Sequence, residues 1–195
     1  MIPIIHKVNN LEKLESVPKN YGIEIDIRSF QNKLVLAHDL SENLTDFEDF
    51  IKEIDHKLVV ANIKETGIET SVIKSFEKNK INDFFLLDVE FPYLLENYKS
   101  VGKNLSLRYS KFESVSSSYI FNNFVDWVWV DTYDEFELNN ETIDFLKNYK
   151  ICLVSPSRWG KEEDLKLYID KLENEKIHIS AVMINQGEEL DITEC

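Results

Sequence analysis

The sequence predicts an α/β fold, a single (β/α)8 TIM barrel formed by residues 1–195, compact and near the minimum size for that architecture. Three observations lead there. Short β-branched or aromatic runs alternate with stretches of helical period. Eight such runs occur, with seven helical segments between them. Polar and ionisable residues collect at the C-terminal ends of the runs, which is where parallel α/β folds bind ligands.

The strand candidates are 2–6, 22–29, 58–64, 83–88, 105–109, 127–131, 151–155 and 179–185. Strand–helix alternation of this kind implies parallel strands with right-handed crossovers. An open doubly wound sheet fits it too, but no GxGxxG or GxxxxGK follows any strand, so a nucleotide-binding version is disfavoured. Helix faces are read at Phe47, Phe50, Ile51 and Ile54, at Phe91, Leu94, Leu95 and Tyr98, and at Leu165, Tyr168, Ile169 and Leu172. Each set falls at i, i+3, i+4, i+7. Capping boxes are expected at Thr45 with Glu48, Thr66 with Glu69, and Ser110 with Glu113. The helix around Leu11, Leu14 and Val17 has a weaker pattern.

Composition narrows the function classes. A hydrophobic fraction of 43% with 30% charged residues excludes a globally disordered chain. A formal net charge of -14 repels polyanions, so no nucleic-acid partner is expected. No apolar run approaches the ~18 residues of a membrane span, and the first residues lack the pattern of a signal peptide. Of the two cysteines, Cys152 reads as a core residue and Cys195 as a tail thiol, so the default compartment is the cytoplasm.

The chemistry-bearing residues sit at the strand ends. Along Ile23-Glu24-Ile25-Asp26-Ile27-Arg28 the strand period puts three isoleucines on one face and Glu24, Asp26 and Arg28 on the other. In a barrel the isoleucines pack outward and the carboxylates point inward, where a cation must offset them; hard oxygen ligands select Mg2+ or Ca2+. His6 ends the first strand. The segment 30–37 reads as a hairpin return that carries His38 back over the second strand. The two histidines are then placed as general acid and general base. His56 and His178 precede strands and belong to the opposite end, as structural residues. Lys64, Arg108, Arg158 and Lys7 are candidate phosphate ligands. Trp127, Trp129, Phe91 and Tyr133 are read as core.

The ordered set of His6, then Glu24 and Asp26, then His38-Asp39, then Val60-Ala61-Asn62-Ile63-Lys64, resembles the glycerophosphodiester phosphodiesterase family. The resemblance implies a barrel that cleaves a small phosphodiester with Mg2+ or Ca2+; the short chain, with little room for a capping insertion, suits an exposed site and so a glycan-linked phosphodiester as well. The resemblance also implies proton exchange by His6 and His38, metal ligation by Glu24, Asp26 and Asn62, and phosphate binding by Lys64. The family's usual third metal ligand is acidic, whereas Asn62 offers a neutral amide oxygen. The family's His-Arg-Gly is His6-Lys7-Val8 here. Two alternatives stand beside this reading: a sugar-phosphate-binding barrel with impaired catalysis, and an unrelated barrel enzyme that uses Lys64 as a Schiff base.

Overall fold

The computed structural model describes residues 1–40, 44–113, 115–133, 138–161 and 164–188. In chain order its strands are β1 (Ile2–Ile5), β2 (Gly22–Phe30), β3 (Lys33–Leu36), β4 (Thr45–Asp46), β5 (Leu58–Ile63), β6 (Phe84–Leu87), β7 (Ser106–Tyr109), β8 (Trp127–Val130), β9 (Lys150–Val154) and β10 (Ile179–Ile184). Its helices are α1 (Leu11–Ser16), α2 (Phe47–Phe50), α3 (Glu69–Lys78), α4 (Phe91–Val101), α5 (Asn140–Leu146) and α6 (Leu165–Asn174). The eight runs picked from the sequence all form strands, within one residue at either end. Between β7 and β8 a 3-10 segment, Ser116–Phe121, takes the place of an α-helix.

The eight long-range strands are parallel. β1 lies between β10 and β2, β2 pairs β5, β5 pairs β6, and on the other side β10 pairs β9, β9 pairs β8 and β8 pairs β7. The sheet therefore curls into a TIM-barrel-like form. Its ends, β6 and β7, are joined by one bridge, Leu86 to Leu105. Two side chains reinforce this seam: Ser106 Oγ donates to the Leu86 carbonyl at 3.0 Å, and Asn104 Nδ2 donates to that of Phe84 at 3.2 Å. The β2–β3 hairpin stands outside the ring and is antiparallel, as its sequence predicts.

Alternation along the strands separates two apolar layers. One parity, including Ile4, Val60, Phe85, Trp129, Cys152 and Met183, forms a cluster made of strand residues alone, which is the inside of the curl. The other parity, including Ile23, Ile25 and Ile27, joins helix residues such as Phe47, Val72, Phe76 and Leu172 on the outside. The β2 isoleucines thus face the helices, and Glu24 and Asp26 face the inside. Cys152 is buried, and burial pushes its thiol well above the ordinary range. Cys195 lies outside the described residues.

Some local expectations are corrected. α2 is capped by Asp46, whose carboxylate accepts from Asp49 N, and Thr45 is a β4 residue. α3 begins at Glu69 with no side-chain cap; Glu69 Oε2 instead accepts from Gly67 N at 2.8 Å. Ser110 and Glu113 bond to each other, but in a tight antiparallel bridge ahead of the 3-10 segment rather than at a helix start. On α4 only Leu94 is buried; Phe91 and Leu95 are 55% and 44% exposed. Trp127 and Trp129 are core, whereas Phe91 and Tyr133 are not: Tyr133 packs at a tilt against Trp159 at the surface, with ring centroids 4.3 Å apart. The α6 face is buried as expected at Tyr168, Ile169 and Leu172.

Candidate active site

At the β1 end the chain turns sharply. Lys7 adopts a left-handed φ of 56°, which points its backbone N–H at Glu24 Oε2, 2.7 Å away. Val8 N then donates to the Glu24 carbonyl at 2.7 Å. The turn is fastened from α1, where Lys13 Nζ donates to the carbonyls of His6, at 2.6 Å, and Lys7, at 2.9 Å. Burial lowers the affinity of Lys13 for its proton, against the opposing pull of Glu24.

Glu24 and Asp26 are almost fully buried, 1% and 0% exposed. Asn9 clamps Asp26 twice: its Nδ2 donates to Asp26 Oδ2 and its Oδ1 accepts from Asp26 N, both at 2.8 Å. Lys64 Nζ lies 3.0 Å from Asp26 Oδ1 as an ion pair, and no other group donates to that oxygen. Asn62, opposite Asp26 on β5, donates from Nδ2 to Glu24 Oε1 at 2.9 Å, and its buried Oδ1 has no partner. Burial first, and the charge of Asp26 second, push the Glu24 carboxyl up to about 7. His6 Nε2 is 3.8 Å from Glu24 Oε2. Burial lowers His6 to about 3, helped by the positive charges of Arg158 and Lys7, so the imidazole is neutral at neutral pH.

The hairpin brings His38 to this end of the sheet. Ala37 N donates to the Asp26 carbonyl at 3.1 Å, and Arg28 donates to the His38 carbonyl from Nε at 3.0 Å and Nη2 at 2.8 Å. His38 Nδ1 is 2.8 Å from Asp39 Oδ2. A carboxylate only accepts, so Nδ1 carries the proton and Nε2 is the ring atom placed for proton exchange. That hydrogen bond holds the Asp39 carboxyl below its ordinary range.

The structure therefore gathers His6, Lys7, Glu24, Asp26, Asn62 and Lys64 into one network, with the charge of Arg158 felt at His6. Arg108 stands apart. It bonds to Asp88 and Asp131, with Glu113 4.0 Å away, so its charge is already matched across the seam. His56 and His178 lie where expected: His56 is buried against the Val17 carbonyl, and His178 is exposed just before β10. Asn9 and Lys13 are the residues that sequence reading missed. Both belong to the α1 region, whose apolar pattern is weak, and their roles are to hold backbone and carboxylates.

The residues fit a hard divalent cation. The buried carboxylates of Glu24 and Asp26 lie side by side, and next to them the buried Asn62 Oδ1 lacks a donor. Among the described residues, no three His, Cys, Asp or Glu converge, so an amide oxygen would have to complete the set.

Two solved structures share this architecture. A glycerophosphoryl diester phosphodiesterase from Parabacteroides distasonis superposes with a TM-score of 0.59 at 11% identity, over 93% of this chain and 81% of that one. A glycerophosphodiester phosphodiesterase from Agrobacterium tumefaciens gives a TM-score of 0.64 at 8% identity, over 93% and 95%. The chain has the fold of these phosphodiesterases. No protein-family model and no curated protein matches its sequence. The fold is thus shared with very little identity of sequence.

Proposed function

We propose that this protein is a phosphoric diester hydrolase or cyclising lyase acting on a small or glycan-linked phosphodiester, and that its sheet is a closed (β/α)8 barrel whose last join is the β6–β7 seam. The observation that carries the reading is the pair of buried carboxylates, Glu24 and Asp26, beside Lys64 and the donor-less amide oxygen of Asn62, at the end of the sheet that holds His6 and His38.

Glu24, Asp26 and Asn62 hold Mg2+ or Ca2+, which when bound offsets charge on the non-bridging phosphate oxygens. Lys64 and Lys7 draw the phosphate to the mouth, and Arg158 adds positive charge on the His6 side. One histidine accepts the proton of the attacking hydroxyl. The other donates a proton to the leaving alcohol oxygen as its bond to phosphorus breaks. When the attacking hydroxyl belongs to the substrate the product is a cyclic phosphate; when it belongs to water the product is a phosphomonoester. Asp39 keeps His38 in the tautomer that presents Nε2. Lys13 and Asn9 are positioning residues for the His6 turn and for Asp26.

Purified protein is assayed on bis-p-nitrophenyl phosphate and a panel of glycerophosphodiesters with Mg2+, Ca2+ or EDTA, with His38→Ala as control. Turnover that needs the metal and is lost in His38→Ala is expected. Turnover unaffected by the substitution would remove His38 from the chemistry. One observation favours a second reading, a sugar-phosphate-binding barrel: Asn62 turns its amide donor to Glu24 and Lys64 sits on Asp26, so the two carboxylates are partly served without a metal. Binding of glycerol phosphate without turnover or metal uptake would select it.

A further inference from the structure

The outer wall of the sheet is thinnest where the sheet is least joined. Among the described residues, each crossover of the ring passes through an α-helix except the one from β7 to β8, which has only the 3-10 segment Ser116–Phe121. That segment leans on α4, the helix that follows β6, through edge-on ring contacts. Phe121 meets Phe91 and Tyr98, with centroids 6.1 and 5.3 Å apart, and Phe124 meets Tyr98 at 5.0 Å. These contacts leave an apolar face open: Phe91, Leu95, Ile120 and Phe124 are between 39% and 55% exposed. On α4 the apolar residues have the spacing of a buried stripe, yet Phe91 and Leu95 face outward. With half of each side chain open, the four offer about 400 Å². A stable interface takes about 800 Å² from each partner, somewhat over half of it apolar, so the face has the size of one half of a dimer contact.

The charges around the face say what fits it. Glu90 stands at the N-terminal end of α4, Lys99 in its last turn and Lys103 just beyond. All three are exposed, and among the described residues none has an ion-pair partner. Lys99 lies over the Tyr98 ring, 5.5 Å from its centroid. A helix that is acidic at one end, basic at the other and apolar between matches itself when turned end for end. A twofold axis at Leu95 sets α4 antiparallel to α4 of a second copy, Leu95 against Leu95 and, one turn away on either side, Phe91 against Lys99. Glu90 of each copy then reaches Lys99 and Lys103 of the other, and the helix macrodipoles run in opposed, favourable directions. Glu96, beside the axis, keeps Lys99 at i, i+3 on its own helix. An anionic lipid surface does not suit the face, because the chain carries a net charge of -14.

We propose that the face formed by Phe91 and Leu95 of α4, with Ile120 and Phe124 beside it, binds a second copy of this chain in a twofold, antiparallel α4 pair. The pairing is independent of the phosphodiesterase reading.

Sedimentation of the full chain at about 50 μM tests it, since interfaces of this size have micromolar or tighter dissociation constants. A dimer is expected. Each substitution counts twice across the axis, so Leu95→Glu should weaken association by about a hundredfold or more. Leu95 is on the surface, so this variant folds. Glu90→Lys and Lys99→Glu, taken singly, should each weaken association about tenfold, because each sets like charges opposite one another. Mixed in equal amounts, these two variants should form a heterodimer that regains most of the affinity, because Glu90 and Lys99 positions again carry opposite charges at both contacts. The thermal midpoint should rise with concentration in wild type and stay constant in Leu95→Glu. A monomer at every concentration overturns the proposal, and so does a dimer that Leu95→Glu leaves intact. A dimer lost in Leu95→Glu but not recovered in the mixture overturns the antiparallel pairing. A monomer that sediments with phosphatidylcholine vesicles gives the face to a lipid surface and overturns the dimer as well.

Discussion

Replacing Lys64 by Met tests the charge balance on which the site depends. Lys64 Nζ sits 3.0 Å from Asp26 Oδ1, and the Asp26 side chain is 0% exposed. At an effective dielectric of about 20 the attraction between unit charges at that distance is about 5.5 kcal/mol. Part of it is offset by the desolvation of both groups, and removing one partner of a buried pair costs about 3–5 kcal/mol. The Asn9 clamp remains in the variant, so a loss near 3 kcal/mol is expected. With a urea m-value of about 2 kcal/mol/M, the unfolding midpoint falls by about 1.5 M. Two companion measurements separate charge from packing. Lys64→Met with Asp26→Asn should regain most of the loss, because no bare carboxylate remains. Mg2+ should also restore stability to Lys64→Met by binding Glu24, Asp26 and Asn62, by about 2.7 kcal/mol at a hundred times its dissociation constant. A Lys64→Met midpoint within about 0.25 M urea of wild type, about 0.5 kcal/mol, would refute the claim that Asp26 is buried as an anion that depends on Lys64.

Four further outcomes are expected. Lys13→Met frees the His6–Lys7 turn, so kcat should fall about tenfold with KM little changed, equivalent to about 1.4 kcal/mol in the barrier; an unchanged kcat would show that the turn does not position His6. Arg108→Met strands Asp131, whose side chain is 2% exposed, and should cost about 3–5 kcal/mol in urea unfolding, largely recovered with Asp131→Asn. Gly102→Ala drives a Cβ to 2.5 Å from the Phe124 carbonyl oxygen, backbone that must shift, so a loss of about 3 kcal/mol is expected in thermal unfolding. His56 has its affinity for a proton lowered by burial, and its buried Nδ1 has no hydrogen-bond partner, with Asp55 Oδ1 3.9 Å away. The unfolded chain takes up that proton near pH 6.5 while the folded one does not, so this residue makes stability fall as pH drops below about 6.5. His56→Gln should flatten the unfolding midpoint between pH 7.5 and 5.5, and an unchanged slope would show that His56 does not contribute to it.

Much of this was legible in the sequence because burial leaves a periodic mark. The β2 run Ile23-Glu24-Ile25-Asp26-Ile27 could be read as outward isoleucines and inward carboxylates, and the two apolar layers bear that out. The hairpin return to His38 was visible as a polar turn between two apolar runs. The contacts that tune the site were not legible. Lys13 and Asn9 act through backbone and carboxylate oxygens many residues away, and their neighbours in sequence carry no pattern. Arg108 looked like a phosphate ligand by its place at a strand end. Only the fold brings Asp88 and Asp131 to it, from the strands on either side. The expected capping boxes had the right residue types, but capping depends on where the backbone leaves the extended state, and at α2 that point is one residue later, at Asp46.

The join between β6 and β7 has a consequence for the life of the chain outside its native state. A single backbone bridge means that the β6–β7 join is held mostly by side chains, with Asn104 and Ser106 donating to the Phe84 and Leu86 carbonyls where a neighbouring strand would otherwise pair. Arg108 on β7 reaches Asp88 just after β6 and Asp131 just after β8, and so acts as an electrostatic stitch across the gap. Conditions that loosen the stitch, such as high salt or protonation of the aspartates, would bare two complementary edges at once. One molecule's β6 could then pair with the β7 of the next, and the same register that closes the ring within one chain would instead propagate from chain to chain.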